Sequence, residues 1–198
     1  MSSRTLLQAL RDAFLACHVW SEDVLSEPDS GSRSGSTALK ARGPRLVVRP
    51  SCPPGSVGAL NEVLFPFFNP ERASLSRLCD FIVFYPREEH ARMVVLLCEL
   101  KSTSPRGFVP QLLGGQALAE YLIRAVLLHA KPEIVPTIEY RGVLFSTKAG
   151  VRRATGAGRG LDFEPGSLPW IHLRAGEDCQ LDALCEPLKQ PCLGGLQG

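Results

Sequence analysis

Two short apolar runs, Cys79-Asp80-Phe81-Ile82-Val83-Phe84-Tyr85 and Val94-Val95-Leu96-Leu97-Cys98-Glu99-Leu100-Lys101, constrain this chain more than any other feature. Both are rich in β-branched and aromatic residues. The segment between them, Pro86-Arg87-Glu88-Glu89-His90-Ala91-Arg92, is mostly polar, so the pattern predicts a β-hairpin with strands covered on both faces. Side chains alternate along a strand, which puts Glu99 and Lys101 on one face with Val95 and Leu97 and turns Leu100 away. A turn centred near residue 89 brings Asp80 opposite residue 98 or 99. Two carboxylates and an ammonium then converge within apolar strands, where a charge is costly unless it is paired or ligates a metal. That patch can hold a divalent cation. The plainer reading of the same residues is a salt bridge from Lys101 to Glu99 or Asp80.

An Asp in one strand, a Glu-Leu-Lys tripeptide in the next after 18 intervening residues, and a helix behind it resemble the PD-(D/E)xK nuclease superfamily. The resemblance implies an α/β (mixed α+β) fold with a restriction-endonuclease-like core: a central mixed sheet with a three-stranded meander, flanked by helices, over residues 56–173. It further implies that Asp80 and Glu99 ligate Mg2+ or Mn2+, that the Leu100 carbonyl adds an oxygen, and that Lys101 positions or activates the attacking water. The helix before the meander often donates an acidic residue in this family. Ser56 caps a predicted helix ending near Phe65, before Pro66, and Glu62 is its carboxylate. Some branches carry a Gln and a Tyr one turn apart on the helix after the hairpin. Here Gln116 precedes Tyr121 by five residues, and the resemblance makes Gln116 the group that orients Lys101 or a metal-bound water. Cys79 stands where the family commonly has Pro.

The rest of the chain fits a single domain of 198 residues. Hydrophobic content of 44% and charged content of 21% are ordinary for a globular protein, and a net charge of +2 confines any nucleic-acid surface to a local patch. Seven cysteines, an odd number, and a start interrupted by Arg4, Arg11 and Asp12 instead of an apolar leader predict reduced thiols and a cytoplasmic protein. No apolar run is long enough to cross a bilayer, and no membrane partner is expected. Cys179, Cys185 and Cys192 lack any Cys-x-x-Cys spacing, which argues against a zinc or iron-sulfur site.

An N-terminal helix within residues 1–20 gathers Leu6, Leu7, Leu10, Phe14 and Cys17 on one stripe; it either covers the sheet or receives a second copy or a larger protein partner. Residues 26–45 read as a flexible linker, rich in Gly and Ser. Lys40, Arg42, Arg45 and Arg49 flank Leu46-Val47-Val48, as phosphate-binding cations or as a charge-protected strand edge. The helix after Pro110 is apolar nearly all round and should lie between layers, with Gly114 and Gly115 marking a close backbone approach. A strand over Ile138–Ser146 should run parallel to the hairpin, with this helix as the crossover. Lys148, Arg152, Arg153 and Arg159 lie in a Gly-rich stretch that reads equally as a nucleic-acid-gripping loop and as a solvated one. Trp170 to Leu173 form a last predicted strand, in which His172 is a core or edge residue, and residues 174–198 hold a terminal helix and a fraying tail.

The expected function is metal-dependent hydrolysis of phosphodiester bonds in nucleic acid, with DNA ahead of RNA. The alternative is a catalytically inactive module of the same fold that binds nucleic acid, a nucleotide or a protein partner.

Overall fold

The chain is a mixed α+β structure with a mixed six-stranded sheet at its centre, described in a computed structural model over residues 1–14, 16–26, 36–50, 77–101, 107–132, 134–147 and 168–186. In chain order the elements are α1 (Ser3–Ala13), β1 (Val19–Trp20), β2 (Val24–Leu25), β3 (Thr37–Lys40), β4 (Leu46–Val48), β5 (Phe81–Arg87), β6 (Arg92–Lys101), α2 (Val109–Ala130), β7 (Thr137–Ser146), β8 (Trp170–Arg174), β9 (Cys179–Gln180) and α3 (Leu181–Leu184). Short 3-10 turns at Ala16–His18 and Glu88–His90 complete the set among the described residues. Among those residues no helix is long and apolar enough to cross a membrane.

The large sheet runs β1-β4-β5-β6-β7-β8. Its first half is antiparallel, with the meander β4-β5-β6, whereas β7 pairs parallel to β6 and β8 parallel to β7. The hairpin is longer than the apolar runs suggest. Pro86 and Arg87 continue β5, opposite Met93 and Arg92, and the reversal is made by the 3-10 turn with Ala91 in the left-handed region at φ 46°.

Both faces of the sheet are covered, which is why β5 and β6 read as continuous apolar runs. Ile82, Phe84, Val95, Leu97 and Leu144 meet the helices α1 and α2. Val83, Tyr85, Val94, Leu96 and Phe145 meet a small second sheet, β2-β3-β9, together with α3. Alternation along the strands divides the two cores, as the pleat requires.

The helix α1 starts where Ser2 accepts a hydrogen bond from the Thr5 N–H, and it buries Leu6, Leu7 and Leu10 against the sheet. It is shorter than the expected stripe, for Phe14 caps it and Cys17 lies exposed in the 3-10 turn. Part of the expected linker is structured: Thr37–Lys40 is β3. The meander also begins earlier than residue 56, at Leu46 in β4. The predicted helix from Ser56 to Phe65 therefore falls in sequence between two meander strands, not before them, and lies outside the described residues.

The long helix α2 is half covered, not buried between layers. Leu112, Leu118 and Ile123 point inward, while Val109, Leu113, Tyr121 and Leu128 are exposed. Its glycines do mark a close approach. A Cβ on Gly114 would stand 1.9 Å from the Arg77 carbonyl oxygen, and one on Gly115 would stand 2.3 Å from Cys79 Sγ. These two contacts seat the helix on the segment that leads into Asp80. Gly114→Ala would normally favour a helix by about 1 kcal/mol. Here it is expected to lower the melting temperature instead, because a backbone carbonyl cannot swing aside as a flexible side chain does.

Candidate functional site

In the hairpin register Phe81 faces Cys98, so Asp80 lies one step outside the last pair, on the side of Glu99. Phe81 and Cys98 belong to the small-sheet core, and one residue further on both strands turns to the helix face. Asp80 Oδ2 accepts a hydrogen bond from the Leu100 N–H at 2.7 Å. Glu99 is buried, with its side chain 1% exposed, and Glu99 Oε1 is ion-paired with the Lys101 ammonium. Lys101 Nζ also donates to Gln111 Oε1, on the first turn of α2, at 2.9 Å, and remains one-quarter exposed. The hairpin thus brings Asp80, Glu99 and Lys101 to one end of the sheet, beneath the start of α2.

Three parallel strands finish at that same edge. Lys101 is in register with Ser146, and Ser146 with Arg174; two rows back, on the same face, Glu99, Leu144 and His172 align. Ser146 is fully buried, and its hydroxyl meets His172 Nε2 at 2.8 Å. Burial holds the His172 imidazole below its ordinary value. Burial also pushes the Cys79 thiol well up, and the neighbouring Glu99 and Asp80 carboxylates add to the effect, so Cys79 stays a neutral thiol. The carboxyl ends of parallel strands, beside the helix N-terminus that follows them, are where open α/β sheets place their ligands.

Gln116 is not the glutamine at this cluster. It donates to Glu120 Oε1 at 2.7 Å, one turn along α2, while Gln111 reaches Lys101. The Leu100 side chain is buried on the opposite face, and its N–H serves Asp80. Glu62, Lys148, Arg152, Arg153 and Arg159 lie outside the described residues. In the earlier basic quartet Arg45 pairs with Asp23, Lys40 lies 3.9 Å from Asp178 and Arg49 lies over the Trp20 ring, while Arg42 donates its backbone N–H to Asp182. The edge of β4 is covered by β1.

A second charged cluster occupies the far end of the hairpin, on the small-sheet face. Glu139 pairs with both Arg92 and Arg141, two guanidinium groups that are nearly buried. Arg92 donates onward to the Cys185 carbonyl and Arg141 to the Leu184 carbonyl, while Arg87 donates to the Asp182 carbonyl at 3.1 Å. Tyr85 donates its hydroxyl to Asp182 Oδ1 at 2.7 Å. That bond holds the Asp182 carboxyl below its usual range, and burial with the same bond pushes the tyrosine up to about 12. Cations at the last carbonyls of α3 complement its C-terminal end. The network fastens the C-terminal segment to the sheet. Single arginines and glutamates spaced along a sequence carry no signal that would have gathered them.

Comparisons of the chain with protein-family models, with curated proteins and with solved structures give no match.

Proposed function

We propose that the chain is a metal-dependent nuclease that hydrolyses phosphodiester bonds in DNA or RNA, with its active site at the Asp80, Glu99 and Lys101 cluster. The observation that carries this reading is the placement of a buried glutamate beside a lysine and an aspartate at the carboxyl ends of the parallel strands. Carboxylate oxygens are the donors Mg2+ and Mn2+ take, and Mg2+ is commonly held by one or two of them, with water and substrate phosphate completing the shell. The donor set here fits that pattern. Among the described residues no group of three or more His, Cys, Asp or Glu side chains gathers for a metal, so Asp80, Glu99 and the Leu100 carbonyl would hold the ion as a sparse site.

When bound, such an ion supplies charge for the scissile phosphate and lowers the pKa of a water. The chain's own residues do the rest. Lys101, anchored between Glu99 and Gln111, places a positive charge where the phosphate gains negative charge in the transition state. Glu99 is kept rigid by the strand. The Leu100 N–H fixes the Asp80 carboxylate and so its orientation.

The alternative, an inactive module of this fold that binds nucleic acid, a nucleotide or a protein, has one observation in its favour. Both carboxylates already have internal partners, Lys101 for Glu99 and the Leu100 N–H for Asp80. Cleavage of labelled single- and double-stranded DNA and RNA in Mg2+ or Mn2+ decides between them. The nuclease reading expects cleavage that EDTA stops and that falls about a hundredfold or more in Asp80→Ala with the fold retained. Full cleavage by Asp80→Ala, or none by wild type in either metal, sinks it.

A further inference from the structure

The helix α2 is apolar on nearly every side, yet one whole side of it is uncovered. Of the seven exposed large apolar side chains among the described residues, six lie on α2 or in the connection that follows it: Val109, Leu113, Tyr121, Leu128, Ile134 and Val135. Single exposed apolar residues need no explanation, but a concentration on one element marks an interaction surface. We propose that this side of α2 is a two-fold interface with a second copy of the chain, the two helices packing antiparallel about an axis between Glu120 and Tyr121. The other helix expected to serve as a handle, α1, has its Leu6, Leu7 and Leu10 buried against the sheet.

At 3.6 residues per turn, Val109, Leu113, Ala117, Tyr121 and Leu128 fall within about 120° of the helix surface. Two charges, Glu120 and Arg124, lie in the same arc, and all seven residues are exposed. A surface meets its own copy across a two-fold axis by pairing residue i with j and j with i. With the axis between Glu120 and Tyr121, Leu113 meets the partner's Leu128, and the small Ala117 leaves room for the stem of the partner's Arg124. The same placement sets Glu120 about 4.5 Å along the helix from the partner's Arg124, within reach of so long a side chain. Charge and apolar ends are therefore both self-complementary. Within one helix Glu120 and Arg124 stand a turn apart, a spacing that often pairs them. Among the described residues neither takes part in an ion pair, and Glu120 accepts a hydrogen bond from Gln116 instead. One cation on an apolar stripe is no phosphate surface, and the match of the stripe with itself favours a copy of this chain over an unrelated protein. The interface uses none of Asp80, Glu99 and Lys101, so it holds or fails independently of the nuclease reading.

Sedimentation equilibrium on the full chain, over about 1–100 µM, reads the association. Wild type is expected to dimerise in that range. Glu120→Arg sets two arginines against each other across the axis and Arg124→Glu two glutamates, so each should raise the dimer dissociation constant about tenfold or more. Mixing the two variants should restore association, because every contact across the axis then joins opposite charges. An account in which Glu120 and Arg124 act only within their own helix gives no recovery on mixing. Leu113→Gln should weaken the dimer as well, with the melting temperature of the dilute protomer unchanged, since the leucine is exposed there. A monomeric wild type at the highest concentration, single charge variants that dimerise as wild type does, or a mixture no better than its parts overturns the proposal. A lower melting temperature of dilute Leu113→Gln overturns it too, by showing that the stripe is covered from within the chain.

Discussion

Lys101→Met is expected to lower the cleavage rate by about 10²–10³-fold and the stability by about 3–5 kcal/mol, because it removes a cation from beside a buried carboxylate. Glu99 is 1% exposed and paired with Lys101, so losing the ammonium takes the counter-charge from a carboxylate deep in the sheet. Glu99→Gln in the same chain removes that charge. The double variant Glu99→Gln/Lys101→Met should therefore recover part of the stability, because no charge is then left buried, and none of the activity. Urea unfolding and a single-turnover cleavage assay on the two single variants and the double variant read both quantities. A double variant that recovers activity along with stability would reduce the pair to a structural salt bridge. One that recovers neither would mean that Lys101 holds the end of β6 by some contact other than the one to Glu99.

How far such a site can be read from sequence depends on which interactions are local. Cys79–Tyr85 and Val94–Lys101 announced the hairpin because strands covered on both faces must be apolar throughout, and the alternation put Glu99 and Lys101 on one face. Gly114 and Gly115 announced the close approach at Arg77 and Cys79, since glycine in a helix interior needs a reason. The parallel crossover from β6 to β7 followed from a long helix between two strands. Register across parallel strands is another matter. That Lys101 aligns with Ser146 and Glu99 with His172 depends on how β7 and β8 slide against β6, and no turn residue records it. For the same reason Gln111, not Gln116, meets Lys101: both lie on α2, and the choice is set by where that helix docks. The apolar surface of α2 misled in the opposite direction. Val109, Leu113, Tyr121 and Leu128 are large and apolar yet exposed, and composition cannot tell a covered apolar face from an uncovered one.

Glu139→Ala is expected to be the most destabilising single change at the other end of the sheet, at about 3–5 kcal/mol, because it strips the shared carboxylate from two nearly buried guanidinium groups. The carboxylates at the exposed rim set the comparison. Glu89 and Glu186, both on Arg87, are more than half exposed, and Glu186→Ala should cost no more than about 1 kcal/mol. The arginines do more than balance Glu139. Arg92 and Arg141 also donate to the carbonyls of Cys185 and Leu184, the last acceptors of the α3 turn. The triple replacement Arg92→Met/Glu139→Leu/Arg141→Met therefore separates two accounts of the network. If the charges serve each other alone, an apolar core of similar volume should restore stability. If they serve the α3 carbonyls, the triple variant should stay destabilised, and amide exchange should rise over residues 179–186 while β5 and β6 keep their protection. The second outcome is expected, because those carbonyls would then be buried against methionine side chains that cannot donate.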